Sequence, residues 1–329
     1  MRPQPCSSSR RISTGGPVSE RITARALARA LAVVLLAASA AACSGAGRGP
    51  ARRVRIPPGA SFTQVTDSLA RYDVVRFPSV FAFYARMIGA DDEVKAGTYG
   101  FRTHMGWHRV LEDLRLGRVL TVRLVIPEGW DLRGLARRIA AITGAASDSV
   151  LGILLDTATV RRYGVPGPSL EGYLYPATYT FPIDVPITTI VDRLVREYRA
   201  VWTPERTARA AAIGLSEREV VALASIVEKE ARHRAEMPLI AAVYHNRLRI
   251  GIPLQADPTV QYALGEHQAR LLYAHIDSVA DDPYNTYTHA GLPPGPIASP
   301  SAAGIDAVLH PADADYLYFV ARPDGTHIF

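Results

Sequence analysis

Glu228 stands in an otherwise apolar run, Leu223-Ala-Ser-Ile-Val-Glu-Lys-Glu-Ala231, and is the side chain whose type and setting best suit proton-transfer chemistry. Ser216 and Glu219 form an S-x-x-E capping box, with Leu215 and Val220 placed as a hydrophobic staple, so the spacing predicts a helix over 216–233. At about 100° per residue, Val220, Leu223, Ala224, Val227 and Ala231 share one stripe, and Glu228 falls on its flank beside Val221. A carboxyl held against aliphatic side chains loses hydration, which penalises its charged form and suits it to general-acid work. The ordinary alternative is an ion pair with Arg232, four positions on. Glu230 projects to the other side of the same helix.

Three further stretches carry polar side chains in rigid turns: Leu170-Glu-Gly-Tyr-Leu-Tyr-Pro176, Gln255-Ala-Asp-Pro-Thr259 and Pro283-Tyr-Asn-Thr-Tyr287. Aromatic faces stack on pyranose rings, and amide and hydroxyl groups satisfy sugar hydroxyls, so this lining fits a glycan as well as it fits a packed domain edge. Gln255, Asn285, Thr286 and Tyr287 are the candidates for holding a sugar. Asp257, before Pro258, reads as a turn or cap residue or a substrate ligand. Glu171 reads as a further acid or as part of a structural turn.

These groups need elements to position them, and the chain is long enough to supply them. Its 329 residues with 48% hydrophobic content suggest about two domains. The formal charge of +6 is misleading, because residues 1–53 hold nine of the arginines and a single acid, Glu20. The remainder carries 28 basic against 30 acidic residues, which removes the electrostatic support for a nucleic-acid partner. The basic segment leads into the apolar run Ala30–Ala42 and then Cys43, an export signal or membrane anchor. Roughly 14 apolar residues fall short of the ~20 of a comfortable span. Ala-Ala-Ala-Cys is similar to a bacterial lipoprotein box, with Cys43 as the residue to be lipidated, although Ala40 stands where that box usually has Leu. Residues 44–53 read as a tether, and with only Cys6 and Cys43 in the chain the rest can form no disulfide.

An internal repeat follows. Val54-Arg-Ile-Pro-Pro-Gly59 recurs as Leu124-Val-Ile-Pro-Glu-Gly129, each copy running into a helical pattern. The pattern predicts an α+β chain: a small strand-and-helix region over 54–146, with the repeat continuing at 124–142, then a mainly helical domain over 147–329 with short strands. Small units of strand, two helices and strand resemble lysin-motif modules, which bind N-acetylglucosamine-containing glycans; the repeat is equally compatible with a scaffold that has no ligand. No H-E-x-x-H, no G-x-S-x-G and no phosphate-cradling loop after a strand occurs, so metal, serine-hydrolase and nucleotide chemistry lack their motifs, and no cofactor is expected.

Taken in order, Ile126-Pro-Glu-Gly129, Leu170–Pro176, Ser225-Ile-Val-Glu-Lys-Glu230, Asn246-Arg-Leu248, Leu254-Gln-Ala-Asp-Pro-Thr-Val260, Tyr284-Asn-Thr-Tyr-Thr288, Gly291-Leu-Pro-Pro-Gly295 and Tyr316-Leu-Tyr-Phe-Val320 resemble the YceG-like family of bacterial endolytic murein transglycosylases. The resemblance spans residues 54–329. It implies cleavage within peptidoglycan strands, between N-acetylmuramic acid and N-acetylglucosamine, without water, and it places the catalytic acid on Glu228. One acid suffices, because the muramic C6 hydroxyl closes on C1 to a 1,6-anhydro end, where a two-carboxylate glycosidase must activate water or form a covalent intermediate. The resemblance also implies a membrane-held protein with its catalytic domain on the periplasmic or extracellular side, acting beside peptidoglycan synthases of the penicillin-binding type. Relatives are expected to continue beyond Phe329. Two other readings stay open: a muramidase-type hydrolase using the same glutamate, and a non-catalytic glycan-binding scaffold lipoprotein.

Overall fold

The computed structural model describes Gly45, Gly47 and residues 49–329; the export segment and Cys43 lie outside the described residues. Contacts divide the chain into two units between Leu120 and Thr121.

In the first unit, β1 (Ala51–Ile56) is followed by α1 (Phe62–Arg71), α2 (Pro78–Met87), β2 (Gly97–Arg102) and α3 (Trp107–Leu116). The two strands pair antiparallel with Val54 opposite Tyr99. Alternation along β1 sends Val54 and Ile56 inward, where they meet Leu69, Phe81 and Leu111 in one core. Ser61 caps α1 through a capping box with Gln64. The order strand, helix, helix, strand is the one the sequence pattern predicts.

The second unit opens with β3 (Thr121–Val125) and α4 (Leu132–Thr143), then α5 (Ser147–Leu155), α6 (Thr157–Tyr163) and β4 (Thr178–Pro182). β3 pairs antiparallel with β4, Leu124 opposite Tyr179. The second copy of the repeat therefore belongs to this unit, and the division falls at 120/121 rather than at the expected 146/147. The physical reason is long-range pairing: β3 finds its partner more than 50 residues downstream, which no local pattern announces.

The rest is helical: α7 (Ile187–Val201), α8 (Pro204–Ala212), α9 (Glu217–Glu230), α10 (Met237–Ile250), α11 (Asp257–Leu264), α12 (Tyr273–Ser278) and α13 (Ala302–Leu309), closed by the short pair β5 (Val320–Ala321) and β6 (His327–Ile328). Among the described residues no helix is long and apolar enough to cross a membrane.

α9 is the axis of this unit. The capping box at Ser216 is present, the Glu219 N–H donating to Ser216 Oγ and the Ser216 N–H to Glu219 Oε2. The single apolar stripe read from the sequence understates its burial, since every residue from Val220 to Val227 is buried. Two cores flank the helix: Val221 packs with Leu170, Tyr173 and Leu194, while Leu223, Ile226 and Val227 pack with Met237, Ile240 and Ile305. Full burial of each large aliphatic chain contributes about 1.5–3 kcal/mol. Buried Ser225 is satisfied, donating to the Ala222 carbonyl and accepting from the Ile297 N–H. The helix stops at Glu230, three residues short of expectation. Pro238 is tolerated only in the first turn of α10, so the chain must break before it, and Ala231 turns extended to do so.

Candidate active site

The last turn of α9 presents Glu228, Lys229 and Glu230 where two loops meet. The first is the turn of the repeat. Gly129 has φ +73°, a left-handed conformation that calls for glycine, and its N–H donates to the Ser299 carbonyl at 2.8 Å. The Ser299 N–H returns the bond to the Trp130 carbonyl at 2.8 Å. The second loop, Ile297–Ser301, is thereby sewn to both the repeat turn and α9. Glu128 at the edge pairs with Arg234, 2.5 Å away, just beyond the helix end.

Glu228 is half-buried, as the pattern predicts, but its carboxylate is engaged. Oε2 accepts from the Ser301 N–H at 3.0 Å and from its hydroxyl at 2.6 Å. Ser301 is the N-cap of α13 and accepts in turn from the Gly304 N–H, so Glu228 sits at the positive end of that helix. A Cβ on Gly304 would lie 2.9 Å from Glu228 Oε2, so the close approach depends on glycine there.

Glu230, two residues on, faces the opposite way. Its Oε1 accepts from the Tyr244 hydroxyl at 3.2 Å. Loss of hydration pushes its pKa up to about 7, the negative charge of Asp257 adds to the rise, and the Tyr244 bond opposes it. Asp257 is the first residue of α11, and its Oδ1 accepts from the Tyr287 hydroxyl at 2.5 Å. Burial and this bond hold the Tyr287 phenol well above its usual range.

The remaining sequence candidates divide. Gln255 is exposed, carries a left-handed backbone (φ 51°) and accepts from Arg247 through its Oε1 at 2.6 Å. Asn285 and Thr286 are buried and committed to backbone. Asn285 donates to the carbonyls of Ile276 and Val279 and accepts from the Tyr287 N–H. Thr286 takes the Ala256 N–H on its hydroxyl oxygen, which also meets Thr259. Neither side chain is open to a sugar; together they fix Tyr287 and Asp257. Glu171 is also buried, its Oε2 accepting from the Leu132 N–H at the start of α4, and burial pushes its pKa up to about 8. It is a neutral peg under α4 near neutrality, which is the structural half of the sequence reading. Asn246 and Arg247 bond the carbonyls of Ala314, Tyr316 and Leu317, which explains why the two motifs occur together.

Two cavities meet at this point. The larger, about 680 Å³, is lined by Trp130, Arg133, Arg137, Glu230, Asp257 and Tyr262 among others. The smaller, about 370 Å³, is lined by Glu230, Tyr244, Gln255, Asp257, Tyr287 and Tyr318 among others. Glu230 and Asp257 belong to both walls, and Glu228 to neither. Sequence reasoning named Glu230 without giving it a role and did not single out Tyr244 or Ser301. The signal for Ser301 was its position as a serine cap before the apolar run Ala302–Leu309.

In this mainly helical α+β unit two carboxylates, Glu230 and Asp257, stand on the wall common to two cavities. The chain belongs to the YceG-like family, whose family model matches residues 54–329. It is 32% identical over 295 residues to the endolytic murein transglycosylase of Bacillus subtilis (strain 168), covering 84% of this chain and 80% of that relative. It is 30% identical over 298 residues to the protein of the same name from Streptococcus pneumoniae serotype 2 (strain D39 / NCTC 7466), covering 82% of this chain and 54% of that longer relative. The crystal structure of a yceG-like protein from Listeria monocytogenes aligns with a TM-score of 0.58 at 33% identity, covering 86% of this chain and 96% of that one.

Proposed function

We propose that this chain is an endolytic murein transglycosylase in which Glu230, rather than Glu228, is the proton-transferring acid. The observation that carries the assignment is the position of Glu230 in the wall shared by two cavities, with its proton held near neutrality beside Asp257. Glycan subsites on both sides of the acid suit cutting within a strand. Neutral Glu230 protonates the oxygen linking C1 of N-acetylmuramic acid to N-acetylglucosamine, and that bond breaks. The negative charge of Asp257, oriented by Tyr287, favours the oxocarbenium-like centre at C1. The Glu230 carboxylate then takes the proton of the muramic C6 hydroxyl as its oxygen bonds to C1, which leaves a 1,6-anhydro end and regenerates the acid. Gln255, Asp257 and Tyr287 are the candidates for holding a sugar; Asn285 and Thr286 brace their loops from behind, and Glu171 braces α4.

Digestion of nascent strands tests this. Wild type should release anhydro-ended fragments and Glu230→Gln none. Asp257 gives the hydrolase reading its one support, since a second carboxylate beside the acid could activate water. Reducing ends from wild type would select that reading.

The order of the first unit supports a lysin-motif-like role in glycan binding. The basic and apolar N-terminal sequence supports an export signal or anchor, with Cys43 as the candidate lipidation site, holding the second unit at the outer face of the cell membrane beside peptidoglycan synthases.

A further inference from the structure

The two cavities that share Glu230 and Asp257 differ in their free cations. Tyr244, Tyr287 and Tyr318 wall the smaller one, where Arg247 is spent on the Pro253 and Leu317 carbonyls and on Gln255, and His327 faces Glu236. The larger has a cationic wall: Arg133 and Arg137, one turn apart on α4, and Lys229 from α9. Arg133 is partly engaged, lying over the Tyr262 ring at 5.4 Å and 4.0 Å from Asp131. Arg137 and Lys229 are exposed, and among the described residues neither has an ion-pair partner. The same cavity presents the carboxylates of Asp131 and Glu266. Its lining is thus mixed in sign, with two cations uncommitted.

We propose that this wall is a subsite for the peptide stem of the muramic unit, an inference that rests on the murein-cleaving reading above. Each stem hangs from the lactyl group of its sugar and carries free carboxylates, amide N–H groups and, on its diamino acid, an ammonium. Arg137 and Lys229 receive stem carboxylates, while Asp131 and Glu266 accept from N–H or ammonium groups. A lipid pyrophosphate would supply anionic charge as well, but it offers nothing to Asp131, Asp257 and Glu266 and is repelled by them. The mixed lining favours the peptide. The asymmetry also gives the strand a direction, with the stem-bearing unit in the larger cavity and the tyrosine-lined cavity taking sugar.

The test measures binding to the full-length Glu230→Gln chain in detergent, which holds strands without cutting them. Three probes are used: released strands with stems, released strands stripped of stems by an amidase, and stripped strands that retain the lipid pyrophosphate. Stem-bearing strands should bind about tenfold more tightly than stripped ones, and adding Arg137→Ala and Lys229→Ala should bring that ratio close to one. Arg137→Lys, which keeps the charge, should retain most of the preference. An unchanged ratio in the alanine variant, equal losses on all three probes, or a preference that follows the pyrophosphate would overturn the subsite. Cleavage by the wild-type chain is run alongside on the same strands. Its absence would sink the murein-cleaving reading, while the affinity ratio still judges the subsite.

Discussion

The last turn of α9 carries two glutamates two residues apart, and its two faces meet different surroundings. On one face, Glu228 is bonded to the N-terminus of α13 through Ser301, an approach that the missing side chain of Gly304 permits. On the other, Glu230 meets one phenol, one neighbouring carboxylate and two cavities. Helix pattern treats both as polar residues at the end of an apolar run. What separates them is supplied by elements far along the chain: Ser301 at the start of α13 arrives 73 residues after Glu228, and α11 with the Tyr287 loop closes the opposite side. A carboxylate already satisfied by two donors is a fastener, whereas one with a single phenol for a donor and a negative neighbour is better placed to hold a proton.

The largest expected effect breaks that comparison outright. Glu230→Gln should lower kcat for strand cleavage by at least ~10³-fold with an unchanged melting temperature, because it removes the proton donor and keeps the shape. Glu228→Gln should keep kcat within about tenfold and lose about 1–2 kcal/mol of stability, since the charge-assisted bonds to Ser301 weaken. A kinetic and thermal comparison of the two variants decides the assignment; a silent Glu228→Gln chain with an active Glu230→Gln chain would reverse it.

A smaller effect probes the fastening face alone. In Gly304→Ala the added methyl would stand 2.9 Å from Glu228 Oε2 and 3.4 Å from the Ala224 carbonyl. Either the carboxylate leaves Ser301 or α13 shifts, at a cost of about 1–3 kcal/mol. Combined with Glu228→Ala, which removes the clashing atom, the penalty should be less than additive in a denaturation cycle. Additive losses would mean that the two residues do not share one contact.

How much of this was legible in the sequence depends on the range of the interaction. Local chemistry was readable: the capping boxes at Ser61 and Ser216, the helix over α9, the turns at Gly59 and Gly129, and the half-burial of Glu228. Both repeat glycines adopt φ 73°, yet a side chain on Gly59 would meet open space while one on Gly129 would touch Lys229 and Glu228. The repeat encodes the turn but not its use. Burial of Asn285 and Thr286 was illegible for the same reason: the bonds that consume them come from Ile276, Val279, Ala256 and Thr259, and in isolation both residues look like sugar ligands. The proposed move of the acid from Glu228 to Glu230 turns on the same range of interaction. A position on the flank of an apolar stripe identifies a residue that will be partly buried, but not whether donors will meet it there.

The subtlest expectation sharpens the comparison through pH. As the proposed acid, Glu230 acts in its protonated form, which burial favours by pushing its pKa up to about 7, so kcat/KM should be level below that pH and fall about tenfold per unit above it. Two neighbours pull this limb in opposite directions. The Tyr244 hydroxyl favours the carboxylate, so Tyr244→Phe should move the limb to higher pH; the charge of Asp257 disfavours it, so Asp257→Asn should move the limb lower, each by less than about one unit. Glu228→Gln faces neither cavity and should leave the limb where it is. Opposite displacements in the two variants, read from kcat/KM against pH, would tie the titrating group to Glu230, because no other carboxylate of the cleft is bonded to one of these residues and charged against the other. A limb that follows Glu228→Gln instead would return the acid to the fastening face.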